Sequence, residues 1–533
     1  LTLALSALLI LPLPGQTVTL HVSKTGDGSD GLSWPTAYTA IGDALAVSAS
    51  GDEIWVAMGT YNETIRTVTG TALFGGFVGT ESLEQFDIRD WDLNKTIIDA
   101  IGLNSTVILA AEQSIVDGFT VTNGRAREGG GIGCENCAFQ IANCLITNNE
   151  VRDSTGSYDP VEAIGLGAGI YCRGSKLWVA NCRVADNQSR TDSSSGAFGL
   201  SVGKGGGIYC GESSNVTVID SSITLNTLEG YGAGMWGGYG IMQGAGIYCE
   251  DSVLTLKRVR VVQNRAFGSG SSGFGRGIAG GRSEGGGIFC TGSSSLNAEN
   301  CIVSQNKCRP GVASPGDATT AGCGIVIADS ASAILTNCAV TENTGTIFTH
   351  LTRYVYKNGA GIYLRKASSE FYSCTIAGNF FDEILYASLE TELSGLSISN
   401  STLSITNSIV VGGTRTLEGN NAEVSYSNVE HGYPGPGNID ADPLFVDPDR
   451  GDFRLQYGSP CIDAGTMTET LTDLDGNPRP VDIPGVGTDG PGAFDMGAYE
   501  YQFPKSDLNK NGYLEAMDLF ILGSDWMKVS GVR

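Results

Sequence analysis

The chain has 533 residues, with 76 glycines, only 16 prolines and 41% hydrophobic residues, so neither a collagen-like nor a disordered composition fits. A formal charge of −25 opposes phosphate backbones and anionic membrane surfaces. It argues against nucleic acid as a partner and suits an exported protein or one that meets divalent cations. Length alone allows three or four average domains, but internal repetition overrides that prior.

Residues 1–16 open with an apolar run, Leu1 to Leu13, followed by Pro14, Gly15 and Gln16. This reads as the remnant of a secretory signal peptide, too short to cross a bilayer. No later segment is long and apolar enough to be a transmembrane helix, so a secreted or cell-surface protein is expected. Residues 17–125 read as an N-terminal cap and first coils. From Pro35 to about Ala49, Tyr38, Ile41, Ala44 and Leu45 recur at helical spacing, which predicts a short capping helix starting at the proline. Gly51 to Tyr61 reads as a strand and turn, and irregular coils follow at Ala72 to Phe77, Thr96 to Ile98 and Val107 to Val121.

Residues 126–430 repeat. The motif Gly-x-Gly-Ile recurs with its Ile at Ile132, Ile170, Ile208, Ile247, Ile288, Ile325 and Ile362, at intervals of 38, 38, 39, 41, 37 and 37. Each repeat carries a second anchor at Asn149, Asn187, Asn226, Asn264, Asn306, Asn343 and Asn379, 17 or 18 residues after its Ile. Between the anchors, apolar residues alternate in short bursts such as Val216, Val218 and Ile223, which is strand patterning broken by turns. The fold class is therefore all-β, a single-stranded parallel β-helix in which each repeat is one coil of three short strands plus a loop of 15 to 20 residues leaving at a fixed point. Equivalent positions then stack at the strand spacing of roughly 4.8 Å. One inward column reads Cys134, Cys172, Cys210, Cys249, Cys290, Ile327 and Leu364; a second reads Cys144, Cys182, Ser221, Val259, Cys301, Cys338 and Cys374. The asparagines form a third ladder.

Fourteen cysteines in an exported chain raise the question of disulfides. Stacked side chains sit near the coil spacing, beyond the roughly 3.5–4.5 Å between Cβ atoms that a disulfide needs, so both columns read as small buried hydrophobes. Zinc fits less well still: Cys134-x-x-Cys137 has no second pair to complete a site.

Residues 431–503 read as closing coils, and their aspartates, Asp440, Asp442, Asp447, Asp449 and Asp452, alternate with Pro and Gly as turn residues do. Residues 504–533 hold the motif with the clearest chemistry. Asp507, Asn509, Asn511, Tyr513, Glu515 and Asp518 occupy positions 1, 3, 5, 7, 9 and 12 of a calcium loop, with Gly512 at the tight turn, so calcium is the expected cofactor, followed by a short helix.

The run Gly51-Asp-Glu-Ile-Trp-Val, with Gly59-Thr-Tyr61, Gly75-Gly-Phe77 and Arg89-Asp-Trp91, resembles the opening of secreted right-handed β-helix proteins of the pectate-lyase-like superfamily. The Gly-x-Gly-Ile and Asn anchors are similar to the repeats of polymorphic outer-membrane proteins. Ile439 to Val446, Ser459-Pro-Cys-Ile-Asp-Ala-Gly465 and Phe494-Asp-Met-Gly-Ala-Tyr-Glu500 resemble closing segments of the same secreted proteins. The calcium loop with its closing Asp518 and the apolar Leu519 to Leu522 looks like one half of a type I dockerin, which implies a cohesin-like or surface-anchoring partner.

Two functional readings follow: an extracellular or cell-surface scaffold that binds or adheres to polysaccharide, and a polysaccharide lyase or glycoside hydrolase. The basic cluster Lys257, Arg258 and Arg260 reads as a solvated outer face, and His21, His350 and His431 are too far apart to form a catalytic set. The stacked loops carry aromatic and basic residues suited to sugar rings, and Tyr231, Trp236, Tyr239, Arg276 and Tyr354 are the candidate glycan-binding positions.

Overall fold

The computed structural model describes residues 17–503 except 156–161, 195–196, 273–277, 313–315, 349–351, 385–390, 394, 413–420, 484 and 488–491. The expected signal remnant and calcium loop lie outside the described residues.

Among the described residues, three long parallel sheets form a solenoid. Sheet I has 13 strands, running from Thr19–Val22 to Asn421–Ser425. Sheet II has 12, from Gly59–Tyr61 to Asn428–Val429, and sheet III has 10, from Ile65–Arg66 to Leu396–Ser399. One coil passes through Ile208–Gly211 in sheet III, Asn215–Ile219 in sheet I and Ser222–Thr224 in sheet II. Successive coils pair in register: Ile132 lies beside Ile170, then Ile208, Ile247, Ile288, Ile325 and Ile362, and the Cys134 column follows in the same order to Leu364. All of these side chains are buried in one continuous core.

The geometry explains the motif. Its first glycine adopts left-handed backbone, as at Gly205 with φ 67°, which favours glycine. Its second has no room for a side chain: a Cβ on Gly207 would lie 2.6 Å from the Gly246 carbonyl and 2.9 Å from the Asn226 amide nitrogen. Between them stand Gly, Ala or Cys. The ladder asparagine occupies the space that the second glycine vacates. In each step from Asn149 to Asn379, Nδ2 donates to the next coil's Asn Oδ1 at 2.9–3.0 Å. Asn226 Nδ2 also donates to the Val184 carbonyl, and its Oδ1 accepts from the backbone and side chain of Asn187, so every polar atom of the amide is satisfied.

The segments expected as loops are strands. After the ladder asparagine the chain runs out and back as an arm, such as Thr227–Gly234 and Gly237–Gln243. The outgoing strands lie in a sheet of 10, which the returning Thr391–Leu393 joins antiparallel at its edge, and the other returning strands form a sheet of 6. The two arm sheets face each other through glycine, serine and alanine. A Cβ on Gly232 would lie 2.1 Å from the Tyr239 carbonyl, and one on Gly270 would lie 2.1 Å from the Gly238 carbonyl. The arm is thus two backbones pressed together. Its base is held by a stack on the outer face of sheet III, Tyr171, Tyr209, Tyr248 and Phe289, with ring centroids 5.3–5.6 Å apart and interplanar angles of 13° or less.

At the N-terminus a helix spans Ile41–Val47, shorter than expected, and buries Ile41, Ala44 and Leu45. Pro35 lies six residues ahead of it in a turn rather than at its first position. Among the described residues of the segment expected as closing coils, the chain leaves the three-sheet path after the last coil. Beyond Asn428–Val429 it pairs once, Asn428 with Ile439, and then folds back along the solenoid, with Phe445–Asp447 and Asp452–Leu455 as an antiparallel hairpin.

Replacing Asn226 by Ala removes the acceptor of the Asn187 backbone N–H and of one hydrogen of the Asn187 side-chain amide, at about 1–3 kcal/mol for each buried donor left unpaired. Urea unfolding of N226A is expected to show a loss of about 3–5 kcal/mol, against less than about 0.5 kcal/mol for Thr217→Ala on the exterior of the neighbouring strand.

Candidate functional site

The outward residues of sheet I form columns along the solenoid. One reads Gln140, Trp178, Thr217, Thr255, Asn297, Ile334 and Glu370, and its neighbour reads Ala142, Ala180, Ile219, Lys257, Glu299, Thr336 and Tyr372. This face is framed at both ends. Near the N-terminus the segment after Leu83–Ile88 lies on it. Arg89 pairs with Asp117 at 3.0 Å and sits against the rings of Phe74, Phe86 and Trp91 at 4.7–5.4 Å. The Arg89-Asp-Trp91 run is therefore a packing device.

At the other end residues 467–472 stand over the sheet and make a groove of about 1040 Å³. Its floor is Thr255, Lys257, Asn297, Glu299, Ile334, Thr336, Glu370 and Tyr372, and Met467 and Leu471 form its rim, 74% and 69% exposed. The floor spans five coils from Thr255 to Thr406, about 19 Å at the usual strand spacing. Lys257 Nζ lies 3.1 Å from a Glu299 carboxylate oxygen, and Tyr372 donates to Glu370 at 2.7 Å, a bond that pushes the phenol above its ordinary pKa. Further along the same face Trp178 is 39% exposed, about 24 Å from Tyr372 by coil spacing. Exposed rings and hydrogen-bonding side chains in line along a sheet can stack on and bond to an extended glycan.

The rim is anchored by asparagines that precede the second cysteine column. These occupy a left-handed turn between sheets I and II, as at Asn143, Asn181, Asn300, Asn337 and Asn407, with φ of 50–55°. Asn181 donates to Asn143 along the stack, whereas Asn407 brackets Thr466 with bonds of 2.5 and 2.7 Å, and Asn337 donates to the Thr472 carbonyl at 3.2 Å. Behind the rim the two closing motifs clasp each other: Met496 N donates to the Cys461 carbonyl, Asp463 N to Asp495 and Gly465 N to the Phe494 carbonyl. Arg479, fully buried, pairs with Glu500 at 3.0 Å and donates to the Asp495 and Gly497 carbonyls and to Asn337. Burial, then the charge of Glu500, holds the Asp495 carboxyl well above the usual carboxylate range.

Of the expected glycan positions, the three whose side chains are described, Tyr231, Trp236 and Tyr239, lie apart. Tyr231 is on the outer face of the outgoing arm sheet, in a shallower groove of about 620 Å³ with Arg152, Arg190, Glu229 and Phe267. Tyr239 is on the opposite outer face, beside Phe198 on the returning sheet, and Trp236 sits at the arm tip, 66% exposed. Alternation along a two-sheet arm separates them. The Tyr354 backbone pairs with Asp317 on the returning sheet. Arg276 and the calcium ligands Asp507 to Asp518 lie outside the described residues. Of the basic cluster, Lys257 pairs with Glu299, and Arg258 with Asp220 at 2.5 and 2.8 Å, while Arg260 is exposed above sheet II. The closing-segment aspartates act on turns, as Asp442 does for Leu444 N and Asp440 for His431 N. Among the described residues, no group of three or more His, Cys, Asp or Glu side chains is placed to hold a metal, and no helix is long and apolar enough to cross a membrane.

Composition and motifs do not distinguish Trp178 or Tyr372, although alternation in Lys176-Leu-Trp-Val points Trp178 outward once Leu177 and Val179 are inward. Replacing Arg479 by Met leaves Glu500 buried without its cation, a change that costs about 3–5 kcal/mol when one partner of a buried pair is lost. In R479M, limited proteolysis is expected to cut within residues 430–503 while the coils resist.

No protein of curated function matches the sequence. Among solved structures, the chain is similar to pectate lyase Pel9A at 12% identity, with a TM-score of 0.36, covering 91% of this chain and 98% of that one. It is similar to XylC, solved in complex with xylose, at 10% identity and TM-score 0.38, covering 91% and 98%, and to a rhamnogalacturonan lyase at 10% and 0.28, covering 88% and 97%. Likeness at this level carries no argument about activity. A family model described as right handed beta helix region matches residues 87–354, half of the chain, and the stacked parallel coils agree with it. The chain belongs to the right-handed β-helix family.

Proposed function

We propose that this protein is an extracellular or cell-surface scaffold that binds an extended polysaccharide along the open face of sheet I. The observation that carries the reading is the groove under residues 467–472, continued by the exposed Trp178 on the same face. A flat floor of hydroxyl, amide and charged side chains with an apolar rim meets both sides of a sugar ring, its hydroxyls and its C–H faces. The arms contribute less, since their aromatic residues are divided between two faces and a tip. The calcium loop at Asp507 to Asp518 serves, in this reading, as a separate anchoring element for a cohesin-like or other surface partner, and calcium is its ligand.

A second reading, cleavage by a lyase or hydrolase, is favoured by one observation: Glu299, Glu370 and Lys257 line the same groove as a ring-bearing Tyr372. Paired carboxylates are the groups used in glycoside hydrolysis.

Affinity electrophoresis against neutral and uronate-bearing polysaccharides tests the binding reading. At least one polymer is expected to retard the protein, with Trp178→Ala and Tyr372→Ala each weakening retention by about 10-fold, the scale of one stacking contact. Tyr231→Ala is expected to leave retention unchanged. Loss of binding in Y231A with W178A unaffected would move the site to the arm. Release of reducing ends or unsaturated products, abolished by Glu299→Gln or Glu370→Gln, would establish the second reading.

A further inference from the structure

We propose that Cys134 and Cys137 form a disulfide across the corner between sheets III and I, the one cross-link among fourteen buried cysteines. The two sulfurs are 2.9 Å apart, well inside the separation at which unbonded heavy atoms rest, about 3.5–4.0 Å. Sulfurs in adjacent coils are more distant, as in Cys210 and Cys249 at 4.0 Å. The difference is topological. Column neighbours belong to different coils and are held apart by the strand spacing, whereas Cys134 and Cys137 belong to one coil and point into the same corner from either side of the turn at Glu135 and Asn136.

The position is distinctive within its own column. In the following coils the residue equivalent to Cys137 is Ser175, Ser214, Ser252 and Ser294, linked by backbone N–H groups donating to the next hydroxyl. Those serines donate in turn to carbonyls of their own corner, as Ser214 does to Gly211 at 2.6 Å. Cys137 instead lays its sulfur on that of Cys134 and begins the column.

The chemistry needs an oxidant, and a low-molecular-weight disulfide such as oxidised glutathione suffices. Cys137 is 7% exposed and Cys134 fully buried, so the Cys137 thiolate attacks first, forming a mixed disulfide and releasing one thiol after its own proton has left. The Cys134 sulfur then displaces the second small thiol, which takes up a proton. Two protein thiols are oxidised, and one disulfide is reduced to two thiols.

The test is a thiol count on the full chain after incubation with oxidised glutathione. Protein denatured in guanidinium with excess iodoacetamide is expected to take up twelve carbamidomethyl groups by intact mass, and fourteen after reduction. The tryptic peptide 128–152, which holds Cys134, Cys137 and Cys144, is expected to carry one group and to be lighter by two hydrogens. Cys137→Ser, which installs the residue of the other coils, is expected to take up thirteen groups with or without reductant. Fourteen groups on the unreduced wild type, or a cross-link mapped to any other pair, overturns the assignment. The peptide map decides the question even if the variant does not fold.

Discussion

The molecule depends on one contact, the seat of each ladder asparagine against the second glycine of its coil. Across the seven repeats, a Cβ on that glycine would come within 2.7–3.0 Å of the amide nitrogen. The pair is mutually exclusive with any other residue at the glycine and leaves no polar atom of the asparagine unpaired. A buried amide fully bonded within its own column favours only one register, because a coil shifted by one residue would point the amide away from its neighbours. The inward isoleucine and cysteine columns then fill the core that this register defines.

The coil was legible in sequence for the same reason. Spacing between Gly-x-Gly-Ile and Asn survives arms of different lengths, and alternation between them names the inward residues, so the Ile132 and Cys134 columns are read correctly to Leu364. The arms were not legible as strands. Their buried faces are glycine, serine and alanine, such as Gly230, Gly232, Gly238 and Gly240, which give no apolar alternation, and they are buried by backbone contact rather than by side-chain volume. An aromatic residue follows the isoleucine in four consecutive repeats, at Tyr171, Tyr209, Tyr248 and Phe289, yet its stack is a feature of the outer corner that only the arms create.

Much the same division holds at the candidate site. Trp178 could be placed outward by alternation alone, but the groove could not, because its rim comes from residues 467–472, more than 90 positions beyond the floor strand that carries Glu370 and Tyr372. The signals for that return were present as two separate motifs around Cys461 and Met496, and nothing local says that they clasp each other. Aromatic residues on the arms drew attention in sequence through their number, whereas the side chains that share a face are set by pairing between distant coils.

The aromatic and glycine-lined arms also bear on how such a chain can change. Each arm strand is bonded chiefly to the corresponding strands of the coils above and below, so shortening one arm alone leaves its neighbours with unpaired edges. Removing or adding a whole repeat keeps the asparagine, isoleucine and arm stacks all continuous. Length in this molecule is therefore quantised: the increment that preserves its architecture is one complete turn, and the face of sheet I grows or shrinks by a single rung with it.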